Sequence, residues 1–115
     1  MAITIHKGPK TINRVITIKE PGDGKAYQSH SIRVSFEVIG RTEAEDLTKA
    51  GDDSFFARVI KGWGDETGNG GFKNEDGSNL PFNAENLSAV CDIAWVNAGF
   101  VKAYFEVAYG GKSGN

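Results

Sequence analysis

Several kinds of residue are scarce in this 115-residue chain, and each scarcity excludes something. There is one cysteine, Cys91, which rules out an internal disulfide and fits a reducing compartment. No stretch of basic residues occurs and the formal net charge is −2, so a nucleic-acid partner has no electrostatic footprint here. No apolar run approaches the roughly 20 residues that a membrane span requires, and no membrane role is expected. The first residues lack the apolar centre of a secretory leader, so none is expected. Histidine is limited to His6 and His30, both in the amino-terminal part and far in sequence from Cys91. Proline occurs three times, at Pro9, Pro21 and Pro81. What remains is ordinary for a folded domain: 39% hydrophobic and 24% charged residues, in a length that suits one domain, 1–115.

The first 40 residues carry strand signals. Ile3 and Ile5 alternate with small or polar residues over Met1–His6 and predict a short strand. The β-branched run Val15-Ile16-Thr17-Ile18 predicts another over Arg14–Lys19, and Pro21-Gly22-Asp23-Gly24 a turn. Over Ile32–Val38 the alternation is strict. Ile32, Val34, Phe36 and Val38 share one face and Arg33, Ser35 and Glu37 the other, as in an antiparallel sheet with one wet face.

From residue 41 onward the period changes to that of helices. Thr42 and Glu45 have capping-box spacing for a helix that runs to about Lys49 and stops near Gly51. Asp52 or Asp53 is expected to cap a second helix, in which Phe56, Val59, Ile60 and Trp63 form a buried stripe. Gly64 to Leu80 is then a 17-residue connection holding Gly64, Gly68, Gly70, Gly71 and Gly77. Connections beyond about 12–15 residues without structure of their own are uncommon, so this one is either mobile or ordered by something that binds it. Asn83 caps a third helix with Leu87, Val90 and Cys91 inward, and Asp92 is expected to cap a last helix over about Ile93–Tyr109. That helix has two apolar stripes. One is Ile93, Val96, Phe100, Tyr104 and Val107; the other is Ala94, Ala98, Val101, Phe105 and Ala108. One stripe must serve the core, and residue order leaves open which. The fold class expected is therefore α+β: an amino-terminal antiparallel hairpin or three-stranded sheet (1–40), a carboxy-terminal bundle of about four short helices (41–111), and a polar tail (112–115).

No catalytic constellation emerges. Cys91 lies at an apolar helical spacing, as a buried thiol would, and reactive thiols need an electropositive, accessible setting. Asp65-x-Thr67-x-Asn69-Gly70-Gly71 with Asp76 at the twelfth place has the outline of a calcium loop. Thr67 at a ligand place, Lys73 at the ninth and Asp76 in place of a bidentate Glu spoil it. No metal, cofactor or catalytic residue is expected. Trp63 and Phe82 are expected in the core. Phe72 and Trp95 are harder to bury by pattern, and with Val101 and Phe105 they are the residues expected to meet a partner, since aromatic anchors dominate such surfaces.

One ordered set of motifs spans about half the chain, from Phe55 onward. Val59-Ile60-Lys61-Gly62-Trp63 is followed by Asn74-Glu75-Asp76-Gly77. Leu80-Pro81-Phe82-Asn83-Ala84-Glu85-Asn86-Leu87 comes next, then Ile93-Ala94-Trp95 and a final aromatic helix. This order resembles the tail assembly chaperones of long-tailed bacteriophages. It departs from their pattern in the loop, where Glu66 to Lys73 looks inserted. The resemblance implies a non-enzymatic protein of the host cytoplasm, absent from the finished virion, that binds the phage tape measure protein and keeps it soluble while the tail tube polymerises. It also implies a longer form made by programmed frameshifting, which would contact the tail tube protein; Gly111-Lys112 is compatible with a slippery codon pair. A homo-oligomer is left open. Two other classes stand beside this reading: a structural tail component present in virions, and a small non-catalytic binding module.

Overall fold

The computed structural model describes residues 3, 8–24, 26–65, 67 and 69–109, with the backbone alone at Asp52 and Asp53. Of the strand expected over Met1–His6 all but Ile3 lies outside the described residues, as does the polar tail 112–115.

Strands β1 (Lys10–Pro21) and β2 (Tyr27–Val38) form a regular antiparallel hairpin in which Ile16 faces Ile32 and Ile12 faces Phe36. Both strands are longer than their apolar runs, because ladder hydrogen bonding continues past the last buried side chain. The connection closes where Gly22 N–H donates to the Ala26 carbonyl at 2.8 Å, and Gly24 at φ 68° supplies the left-handed step. Ile16, Ile18, Ile32, Val34 and Phe36 are buried on one face of the hairpin. Arg33 and most neighbours on the opposite face are exposed.

Helix α1 (Arg41–Ala50) follows, but not through the expected capping box. Gly40 is the N-cap residue and makes no side-chain cap bond, so Thr42 lies inside the first turn. Glu43 instead reaches Arg58, accepting a 2.8 Å bond from Nε. Helix α2 (Asp52–Val59) starts directly from Gly51, which ends α1 by donating to Leu47 and Thr48 carbonyls and serves as N-cap for α2; neither Asp52 nor Asp53 is the cap. Gly51 has φ 117°, a conformation that side-chain-bearing residues rarely adopt.

The largest departure from the expected helices comes next. The stripe Phe56, Val59, Ile60, Trp63 is not one helix. α2 stops at Val59, Ile60 turns extended (φ −94°, ψ 121°), and β3 (Ile60–Trp63) joins the edge of β2, with Trp63 opposite Val34. Val59 and Ile60 are β-branched and Gly62 is a poor helix residue, so local preference for helix is weak and an available sheet edge wins. The sheet is thus three-stranded and antiparallel in the order β1-β2-β3, and its third strand comes from within the helical half.

Helix α3 (Ala84–Cys91) is capped as expected: Asn83 Oδ1 accepts from Asn86 N–H at 2.8 Å, and Leu87, Val90 and Cys91 are buried. Asp92 closes α3 as its C-cap rather than opening the next helix. In α4 (Ala94–Tyr109) the first N–H bond, from Asn97, goes to the Ile93 carbonyl. The fold is α+β: among the described residues, a three-stranded antiparallel sheet and four helices, of which α2 and α4 pack on the sheet and α1 and α3 pack on other helices.

The core is one aromatic-rich cluster between the sheet and the helices. Phe56 meets Phe100 at 5.6 Å, Phe55 meets Tyr104 edge-on at 4.9 Å, and Phe36 meets Tyr104 at 6.2 Å. The Tyr104 hydroxyl accepts from Ile39 N–H at 3.3 Å, so its polar tip is satisfied within the core. Gly99 lets α4 approach β1 closely, since a Cβ there would stand 2.9 Å from Ile18 Cγ1.

Candidate functional site

Helix α4 settles which stripe is core. Val96, Phe100 and Tyr104, with Ala103, are buried, whereas Ala94, Ala98, Val101 and Phe105 are exposed; at the helix ends Ile93 of the first stripe is exposed too, and Val107 and Ala108 are both half-buried. Val101 is 36% exposed, Phe105 48% and Tyr109 64%. Phe105 and Tyr109, one turn apart, stack with ring centres 5.7 Å apart and planes within 7°. Beside them lies a groove of about 330 Å³ between α4 and α1. Ala44, Phe55, Phe105 and Tyr109 supply its apolar lining, and Arg41, Glu45 and Lys49 are among the α1 residues around it. Helix α1 itself buries no side chain completely, touching the core through the half-buried Ala44 and Leu47. Its position is tied by Glu43 to Arg58, which also pairs with Glu37 at 3.2 Å. The hydrogen bond to Glu43 and the two carboxylate charges raise the Arg58 pKa further. Burial opposes ionisation of Glu37, but the hydrogen bond from Lys61 and the charges of Arg58 and Lys61 outweigh it and lower its pKa.

The four residues expected to contact a partner fall in two separate places. Val101 and Phe105 belong to the exposed face of α4. Phe72 and Trp95 are half-buried against the core rather than standing free. Phe72 packs edge-on between Trp63 (4.9 Å) and Phe100 (6.0 Å), and Trp95 stacks on His30 at 6.4 Å. Of the two aromatics expected in the core, Trp63 is buried, with Nε1 donating to the Leu80 carbonyl at 2.8 Å. Phe82 lies at the rim, edge-on to Trp63 and 37% exposed. It follows a proline outside α3, where no second layer covers it.

Phe72 and Trp95 line a second opening of about 460 Å³, with Ile18, Ile32, Glu20, His30 and Lys73 among its other residues. His30 Nε2 and Glu20 Oε1 are 2.9 Å apart, and Lys73 Nζ donates to Asn79 Oδ1 at 3.0 Å. His30 was legible only as a strand residue, because its carboxylate partner comes from the other strand of the hairpin. Tyr109 could have been found from the i, i+4 relation to Phe105.

The described residues of the connection between Trp63 and α3 are held by bonds to β2 and by short-range bonds within their own turns. Gly64 N–H donates to the Arg33 carbonyl and Arg33 N–H to the Gly70 carbonyl, both at 2.8 Å, so the loop extends the β2 edge that β3 begins. Asp65 Oδ1 accepts from the Thr67 hydroxyl (2.6 Å), Thr67 N–H (2.8 Å) and Asn69 N–H (3.0 Å). These bonds, the Thr67 hydroxyl first, hold the Asp65 pKa below the ordinary carboxylate value. Asp76 does the same in a second turn, accepting from the Ser78 hydroxyl and N–H, with its pKa also lowered. The two carboxylates of the calcium-loop outline are therefore engaged in separate turns. Among the described residues no group of three or more His, Cys, Asp or Glu is placed to hold a metal ion. No helix of the described residues is long and apolar enough to cross a membrane. Cys91 is buried.

No protein-family model matches this chain, and neither a curated protein nor a solved structure matches it.

Proposed function

We propose that the chain is a tail assembly chaperone of a long-tailed bacteriophage. It would bind the tape measure protein in the host cytoplasm, keep it soluble, and leave before the virion is complete. The observation that carries this reading is the exposed Val101–Phe105–Tyr109 face of α4 beside the apolar groove against α1. A groove between two helices, apolar within and with charges of both signs around it, suits the apolar face of an amphipathic helix. The motif order from Val59 to the last helix supports the same assignment. A frameshift-extended form contacting the tail tube protein, and self-association of the chaperone, belong to this proposal as well.

The test is co-expression with the tape measure protein encoded downstream, with a purification tag on this chain. The long protein is expected to become soluble and to co-elute. With Val101→Glu and Phe105→Glu together, co-elution is expected to be lost while circular dichroism keeps the native helix content. If the long protein stays insoluble and this chain is found in purified virions, the chaperone reading falls and a structural tail role replaces it.

A further inference from the structure

The second opening, lined by Phe72, Trp95 and His30, adjoins a stretch of β2 that pairs with β1 on one side and has no main-chain partner on the β3 side among the described residues. At the β3 side of β2, Arg33 uses both its N–H and its carbonyl, bonding Gly70 and Gly64. Strand geometry repeats every two residues, so Ser31 and Ser29 turn the same groups to the same edge. Neither has a hydrogen-bond partner on that side among the described residues. The chain that continues from β3 turns back at Asp65, whose N–H bonds the Asn69 carbonyl, returns to the edge at Gly70, and then turns inward to place Phe72 on Trp63. Gly71 makes that departure possible, because a Cβ there would stand 2.6 Å from Trp63 Cδ1 and 3.1 Å from Gly64 N.

We propose that this edge is a docking site for an extended peptide segment of a partner protein, which adds as a strand to β2 along Ser29 and Ser31. It would place one large, uncharged apolar side chain in the opening beside Ile32, Phe72 and Trp95. The main-chain groups of the two serines supply the pairing that β3 supplies further along. Alternate residues of the added strand fall on the inward face, where the opening lies. The opening's two charges are of opposite sign and already bonded, Glu20 to His30 and Lys73 to Asn79, so a neutral anchor suits it better than a charged one. This site is distinct from the α1–α4 groove and does not depend on what fills that groove.

The experiment uses the full chain, isotopically labelled, and acetylated heptapeptide amides of alternating Thr and Ser around a central Leu, Phe, Trp or Ala. The Leu, Phe or Trp peptides are expected to bind about tenfold more tightly than the Ala peptide. Binding should slow hydrogen exchange at the Ser29 and Ser31 amides and shift the Trp95 indole resonance. Trp95→Ala should remove the preference for a large central residue, and Phe105→Ala should leave it intact. Equal binding of all four peptides, or binding without protection of the Ser29 and Ser31 amides, overturns the proposal. So does a response at Phe105 in place of Trp95. The exchange measurement on the unmodified chain decides the matter even where Trp95→Ala does not fold.

Discussion

The two faces of α4 have much the same apolar content and opposite fates. Inward, Val96, Phe100 and Tyr104 mesh with aromatic rings from β2, α2 and the long loop. Outward, Val101, Phe105 and Tyr109 are exposed, and Phe105 and Tyr109 border the groove that α1 and Phe55 line. An apolar side chain stabilises a fold only when neighbours remove it from water. The two stripes therefore do different things although their sequence spacing is alike.

The sharpest way to break that symmetry is Phe100→Ala. The side chain is wholly buried, and its loss is expected to cost about 3–5 kcal/mol in a denaturant titration. Phe105→Ala, in the same helix and of the same chemistry, should change stability by about 0.5 kcal/mol or less. A comparable loss at both positions would mean that the outward face is packed after all.

An intermediate effect is expected where close backbone approach holds the inward face in place. Gly99→Val would press against Ile18, and Gly71→Ala against Trp63 and the Gly64 main chain. Each is expected to cost about 1–3 kcal/mol by overpacking, read as a lower midpoint in the same titration. Gly71→Ala should in addition raise hydrogen exchange at Gly64 and Leu80, the bonds flanking the Trp63 anchor.

The smallest effect concerns the loop, whose turns are polar where the core is apolar. Asp65 and Asp76 have folded-state pKa values below the ordinary 3.8, so the unfolded chain binds their protons first as pH falls. Their contribution is fully present well above pH 3.8 and is lost as pH drops through their lower folded values. Amide exchange at Thr67, Asn69 and Ser78, corrected for its intrinsic pH dependence, should therefore speed up below about pH 4, before the β1–β2 hairpin opens. Asp65→Asn should weaken the low-pH response at Thr67 and Asn69 and leave Ser78 unchanged.

Much of the fold was legible because its signals are local. The alternation over Ile32–Val38, the turn at Pro21–Gly24, the Asn83 cap and the inward set Leu87, Val90, Cys91 each need only a few neighbouring residues. The misreadings occurred where a distant strand or an adjacent helix decided the outcome. Thr42 and Asp92 had capping chemistry, but Gly40 is the N-cap of α1 and Asp92 closes α3. The stripe ending at Trp63 had helical spacing, yet β2 offered an open edge and drew Ile60–Trp63 into the sheet. Phe72, Trp95, Val101 and Phe105, the residues expected to meet a partner, could be picked because pattern alone gave none of them a definite place in the core. Their division into two places depends on the path of the loop over β2.

Residue order alone determined the α+β class, the amphipathic hairpin, and the presence of two apolar stripes on the last helix. Each of these is written in periodicity or in short motifs. Only the tertiary structure decided which stripe is buried, where the third strand comes from, and that the described residues of the Gly-rich connection are held by β2, their own turns and Trp63. Those outcomes depend on pairing and packing between residues far apart in the chain, and one-dimensional spacing carries no information about which surface another element will cover.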